Sequence, residues 1–414
     1  MKRIEDIFNS EQFKRALTFI EEDREHTLEQ QIALAQIPAW SNHEEKKAAR
    51  FAEMVKEIGY ENVTVDEVSN VYTVIKGRGE GPKVLITAHC DTVFPLDTDL
   101  TVRRTPDGKI CCPGICDDTR GMAEILSILR AVKACGIRTV GDIIIGSDVG
   151  EENLGGMRGI RHLCKTLPDL DGFISIDLPN ANALTHAGTG SLRLKIVFHG
   201  VGGHSFMAFG TPNPAYALGG AIAKIAAFTV PETPKTTFNV GVVSGGTGAT
   251  AIAREMEMQV DIRSNGKEEL AELERKLRAA VHEAAEEENA RWESPDKLTY
   301  TIEVIGDLPV APQSGDVTIA RVGRACLKQM GIEHKPNPEG AAPTDSNMAI
   351  VSGIPAITVG RGGIGGGGHS LEEWFKPVDE FKSPQRTLLI LLALVGLEGV
   401  STPILERRAE KKGE

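Results

Sequence analysis

No run of apolar residues in this 414-residue chain approaches the roughly 20 that span a bilayer. The longest, Leu388 to Val395 and on through Gly396 and Leu397, reads as a buried helix, so no membrane is expected as a partner. A basic excess is missing as well: 46 lysines and arginines face 58 aspartates and glutamates, for a net charge of -12, and no basic stripe runs along the sequence. Nucleic acid is therefore not an expected partner. The stretch Met1 to Asn9 lacks the apolar core of a secretory signal, which points to the cytoplasm. The seven cysteines are an odd number without such a signal and read as reduced thiols, and Cys111, Cys112 and Cys116 show no paired C-x-x-C of a structural zinc site. No G-x-G-x-x-G opens a helix and no P-loop lysine follows Gly365 to Gly368, so a phosphate cradle is not expected.

What is there is a globular composition, 41% hydrophobic and 25% charged, in a chain longer than the roughly 250 to 300 residues one core supports. Two domains follow. The first sixty residues carry helical periodicity in two stretches, around Phe13 to Ile20 and Phe51 to Ile58, read as two surface helices. Short β-branched runs then alternate with helical stretches up to Ile176, the pattern of an α/β layer with a mostly parallel sheet. From Ser191 the order becomes β-α-β-β-α-β, a ferredoxin-like arrangement, before the α/β pattern resumes. The expected division is residues 1–187 and 307–414 for the first domain and 188–306 for an inserted α+β second one.

Candidate chemistry collects in the α/β part. The strand Val84 to Ala88 runs into His89, Cys90 and Asp91, and in an H-x-D spacing the aspartate can fix the ring nitrogen that a metal does not use. Asp117 and Asp118 stand before a helix; they could cap it, or one of them could bridge two cations. Glu151 and Glu152 follow another core strand, where neighbours point apart and can do separate jobs. Asp177 sits at a further strand end, and His369 follows the glycine-rich stretch. His89, Asp117, Glu152, Asp177 and His369 together suit two ions, each with one histidine and one carboxylate and with Asp117 between them. Zinc, manganese or cobalt accepts such donors, zinc being the first expectation.

The motifs ITAHCDTV, GICDDTRG, GEENLGG, SIDLPN, GGHSFMAFGTPNPA, TDSNMAI and GGGGHSLEEW, in this order, resemble those of the M20 metallopeptidases, a group that includes peptidase T and carboxypeptidase G2. The resemblance runs from about Arg15 to Gly399. It implies that His89, Asp117 and Asp177 hold one metal, that Asp117, Glu152 and His369 hold the other, that Asp91 orients His89, and that Glu151 is the general base. It also implies a cis peptide at Asp117–Asp118, a role for His204 at the substrate oxyanion, and Arg263 and Asn347 as substrate contacts. The second domain becomes a lid and dimerisation domain, making a homodimer the expected assembly. One departure is Thr250 after Gly245-Gly246-Thr247-Gly248-Ala249, where many relatives carry asparagine. The expected activity is a di-metal exopeptidase of aminopeptidase or dipeptidase type acting on small peptides. An N-acyl amino acid deacylase or a carboxypeptidase of the same fold is the nearer alternative, and a non-catalytic peptide-binding relative the more distant one.

Overall fold

The structure, a computed structural model, describes residues 2–79, 81–336 and 339–408. It divides into two compact units, Met1–Gly188 with Gln313–Glu414, and Thr189–Pro312.

The first unit is built on a seven-stranded sheet in the order Val63–Val65, Val71–Ile75, Asp142–Asp148, Lys83–His89, Gly172–Leu178, Ala356–Gly360, Leu184–Thr185. The four strands from Asp142–Asp148 to Ala356–Gly360 run parallel to one another, and the outer pairings are antiparallel. Helices cover this sheet, which is why its central strands are apolar along their length rather than alternating. Val84, Leu85, Ile86, Ile143, Ile145, Ile174 and Ile176 are all essentially inaccessible, and the helix Lys382–Val395 contributes Leu388 to Val395 to the same core. The longest apolar run is thus a buried helix; no described helix is long and apolar enough to cross a membrane.

Four helices precede the sheet, Lys2–Asn9, Glu11–Glu22, Arg24–Ala35 and Glu45–Glu57, where the periodicity suggests two. For one of the two additional helices, Arg24–Ala35, the physical reason is that it buries Thr27, Gln30 and Gln31 beside Leu28 and Leu34. Its inner face is a polar network: Gln31 Nε2 donates to the Ile115 carbonyl at 2.8 Å, and Arg130 donates to Thr27 Oγ1 at 2.7 Å and to Gln30. Such a face has no apolar stripe to read.

In the second unit a four-stranded antiparallel sheet has the order Thr236–Gly245, Glu255–Ser264, Gly190–His199, Thr299–Leu308. With the helices Pro214–Ala226 and Lys267–Ala290, this is the ferredoxin-like β-α-β-β-α-β order. Alternation along Gly190–His199 turns Leu192, Leu194, Ile196 and Phe198 toward the helices, where Leu218, Ile225, Leu277 and Val281 complete the core. Asn213 caps the first helix, its side-chain oxygen accepting from Ala215 N at 2.9 Å, with Pro214 at the position where a missing N–H costs nothing.

Candidate active site

The parallel strands of the first unit end along one sheet edge, the place where open α/β sheets carry their sites. His89 is the last residue of Lys83–His89, Glu151 and Glu152 follow Asp142–Asp148, Asp177 belongs to Gly172–Leu178, and Arg361 follows Ala356–Gly360. Asp117 lies on the turn before the helix Thr119–Ala134, and the peptide it forms with Asp118 is cis.

These side chains converge. His89 Nε2 lies 3.2 Å from Asp117 Oδ1 and 3.7 Å from Asp177 Oδ1. His369 Nε2 lies 3.3 Å from Asp117 Oδ2 and 2.6 Å from Glu152 Oε1. Asp117 therefore divides its two oxygens between two histidines. His369 has a left-handed backbone, φ 61°, unusual for a residue with a side chain and of the kind that clusters at functional sites. Two of the glycines before it are explained by packing: a Cβ on Gly365 would stand 2.6 Å from Cys116 Sγ, and one on Gly366 would stand 2.8 Å from the Trp374 ring.

Asp118 is the helix cap, accepting from Gly121 N at 3.2 Å through Oδ1, while Oδ2 accepts from His89 N at 3.2 Å. The capping reading of the adjacent carboxylates therefore applies to Asp118. Asp91 departs from the simple H-x-D picture. The His89 Nδ1 is 3.0 Å from the Asp91 main-chain carbonyl and 3.6 Å from its carboxylate. The carboxylate accepts instead from Glu151 N at 3.0 Å, Glu152 N at 2.9 Å and Ser41 Oγ at 2.7 Å. One aspartate thereby fixes the ring through its backbone and the two glutamates through its side chain.

Two residues that the motifs did not single out complete the first unit's site. The Glu373 carboxylate, fully buried, accepts from Gly114 N at 2.7 Å, Cys116 N at 2.8 Å and Asp117 N at 3.0 Å. Arg361 directs Nη1 at Asp117 Oδ1, Asp118 Oδ1 and Asp177 Oδ1, at 2.7, 3.0 and 3.4 Å. Glu373 stands four residues after His369 in the same motif, a signal that was present; Arg361 sits in a glycine-rich stretch whose sequence gives no sign of the carboxylates it meets.

The electrostatics follow from this crowding. Burial by itself raises the Asp117 carboxyl, but Arg361, His369 and His89 outweigh it and hold the group well below the usual range. Burial, reinforced by the charges of Asp177 and Glu152, pushes Glu151 well above it, the direction that suits a proton acceptor working near neutral pH. His369 is pushed up to about 10 by its hydrogen bonds to Asp117 and Glu152.

The donor set fits divalent ions. Ligand atoms of His89, Asp117 and Glu152 all lie within 4.8 Å of one another, as do those of His89, Asp118 and Asp177. They are imidazole nitrogens and carboxylate oxygens without thiolate, donors that zinc, manganese and cobalt accept. Asp118 has its oxygens engaged by the helix cap, the His89 backbone and Arg361.

Three further residues are expected, His204, Arg263 and Asn347. His204 is exposed on the short strand Gly203–His204 of the second unit, its Nδ1 accepting from Phe206 N at 3.2 Å. Arg263, in the same unit, donates from Nε to Asp261 Oδ2 at 2.7 Å. Asn347 belongs to the first unit and is wholly enclosed, its Oδ1 accepting from Thr344 N at 3.1 Å.

Residues 85–392 match the sequence profile of peptidase family M20/M25/M40. The uncharacterized protein YqjE of Bacillus subtilis is 24% identical over 349 residues, 81% of this chain and 90% of that protein. A succinyl-diaminopimelate desuccinylase of Corynebacterium glutamicum is 26% identical over 204 residues, 48% of this chain and 54% of that one. Among solved structures, a tripeptidase of Staphylococcus aureus superposes with a TM-score of 0.73 at 20% identity, covering 88% of this chain and 97% of its own. With the profile spanning most of the chain and metal-type donors gathered on one sheet edge, the protein belongs to peptidase family M20/M25/M40 and is a metal-dependent hydrolase of peptide or amide bonds.

Proposed function

We propose that the chain is a cytoplasmic exopeptidase of aminopeptidase or dipeptidase type, using two divalent ions, zinc foremost, on small peptides. The observation that carries this reading is the division of the Asp117 oxygens between His89 with Asp177 on one side and Glu152 with His369 on the other. His89, Asp117 and Asp177 would hold one ion, and Asp117, Glu152 and His369 the second. Ions so held would supply polarisation of a carbonyl and a lowered pKa for bound water.

The protein's own part is proton handling and positioning. Glu151 takes the proton of the attacking water and afterwards gives it to the leaving amine, a cycle helped by a carboxyl that burial has raised. Asp91 keeps the His89 ring in one tautomer through its carbonyl and keeps Glu151 and Glu152 in register through its carboxylate. His204 is assigned, on the resemblance, to the charge that develops on the substrate carbonyl oxygen. Arg263 remains the candidate for a substrate carboxylate, with a planar fork suited to that group. Asn347 is kept, on the resemblance, as a candidate substrate contact, and its Oδ1 also accepts from Thr344 N. Homodimerisation through the second unit is favoured by its edge strand Thr236–Gly245, which leaves Val242 and Val243 exposed.

Likeness to the S. aureus tripeptidase favours a peptide substrate, whereas the C. glutamicum desuccinylase keeps an N-acyl amino acid deacylase as the second reading. Amino-acid release from one tripeptide, offered free, N-acetylated or C-amidated to the zinc-reconstituted protein, separates them. The proposal expects acetylation alone to block release of the N-terminal residue. Cleavage that survives acetylation and fails on amidation would establish a carboxypeptidase or deacylase instead.

A further inference from the structure

The two donor groups that share Asp117 are not electrically alike. Arg361 is almost wholly buried, its side chain 8% exposed, and Nη1 reaches Asp117 Oδ1 at 2.7 Å and Asp177 Oδ1 at 3.4 Å. These are the same two oxygens that face His89 Nε2. Its third contact, Asp118 Oδ1 at 3.0 Å, anchors the guanidinium to the helix cap behind them. On the other side, Asp117 Oδ2 and Glu152 Oε1 face His369, and among the described residues neither oxygen pairs with an arginine or lysine.

Arginine keeps its charge at any pH at which the protein is folded, so this is a permanent cation. A permanent cation in hydrogen-bond range of a carboxylate oxygen occupies one of its lone pairs and opposes the arrival of a second positive charge. We propose that Arg361 is a positioning residue that makes the two metal subsites unequal, so that an ion held by His89, Asp117 and Asp177 binds more weakly than one held by Asp117, Glu152 and His369. The enzyme then fills in order, the His369 side first, and loses the ion on the His89 side first when metal is scarce. This inference rests on the two-ion reading above.

The test is competition between the metal-free full chain and a chromophoric zinc chelator, with bound zinc counted directly and folding followed by circular dichroism. The wild type should take two ions with constants at least about tenfold apart. R361M should tighten the weaker constant by roughly tenfold to a hundredfold, the range over which neighbouring groups tune metal ligands, and leave the stronger one near its wild-type value. H369A should weaken the stronger constant, and adding R361M in that background should again tighten the His89-side ion.

R361K, which keeps a charge, should retain the inequality and supplies the answer if R361M does not fold. Unchanged or weakened constants in folded R361M, or converged constants in R361K, would overturn the proposal and make Arg361 a support for ligand geometry only. Two ions with equal constants in the wild type would also overturn it while leaving the two-ion reading intact. Uptake of one ion or none defeats that reading and this inference together.

Discussion

The Glu373 carboxylate accepts the backbone N–H of Asp117 at 3.0 Å, tying the segment that carries His369 to the turn that carries Asp117. Its other two hydrogen bonds, to Gly114 N and Cys116 N, make it the common acceptor of that turn. Glu373→Gln replaces one acceptor oxygen with an NH2 group that must face a backbone N–H. The expected cost is about 2 kcal/mol or more, the range for hydrogen bonds to a charged group, together with a fall in zinc affinity of roughly tenfold to a hundredfold. Thermal melting of the metal-free protein and a chelator competition measure the two effects; no change in either would show that the turn holds itself.

Asp91→Asn tests a related device at the other glutamate-bearing loop. The asparagine keeps the main-chain carbonyl for His89 Nδ1, but it cannot accept through both side-chain positions from Glu151 N and Glu152 N. Turnover is expected to fall by about tenfold to a hundredfold, with the imidazole tautomer preserved. Proton NMR of the His89 ring separates this outcome from the simpler one in which the carboxylate acts on the ring directly, where the tautomer would change as well.

Glu151→Gln removes the proton acceptor while keeping its shape. Bound zinc should stay at the wild-type level and kcat should drop by roughly a factor of a hundred to ten thousand, the usual share of a positioned acid or base. A variant with full zinc and near-normal turnover would take the role away from Glu151.

The pH dependence of metal uptake follows from His369. Its imidazole is pushed up to about 10 by Asp117 and Glu152, and an ion can bind only the neutral ring. Below that pH the proton must leave, so apparent zinc affinity rises with pH, by up to about tenfold per unit while this one proton is displaced. Calorimetry in buffers of different ionisation enthalpy reports the protons released between pH 6 and 8. H369A should lower that number, and an unchanged number would place the displaced proton elsewhere.

Much of this architecture was legible because the relevant signals are local. Apolar strands such as Lys83–His89 announce themselves by composition, and the candidate ligands His89 and Asp177 follow from where those strands end. The ferredoxin-like order of the second unit was equally plain, since its strands alternate in burial and its helices are long. What escaped were features made by pairing across the sequence. The helix Arg24–Ala35 buries glutamines against arginines, and Arg361 meets Asp117 from 244 residues away. Neither leaves a periodic trace. Asp91 shows the intermediate case, in which the residue was visible and its partners, the amides of Glu151 and Glu152, were not.

The central claim is that hydrolysis needs two ions sharing Asp117. The most direct measurement adds zinc stepwise to the metal-free wild type while following both bound zinc per chain and tripeptide turnover. Two equivalents bound at full activity, with turnover abolished by chelation and restored by zinc, is the expected result; full activity at one equivalent, or turnover that survives chelation, would contradict it.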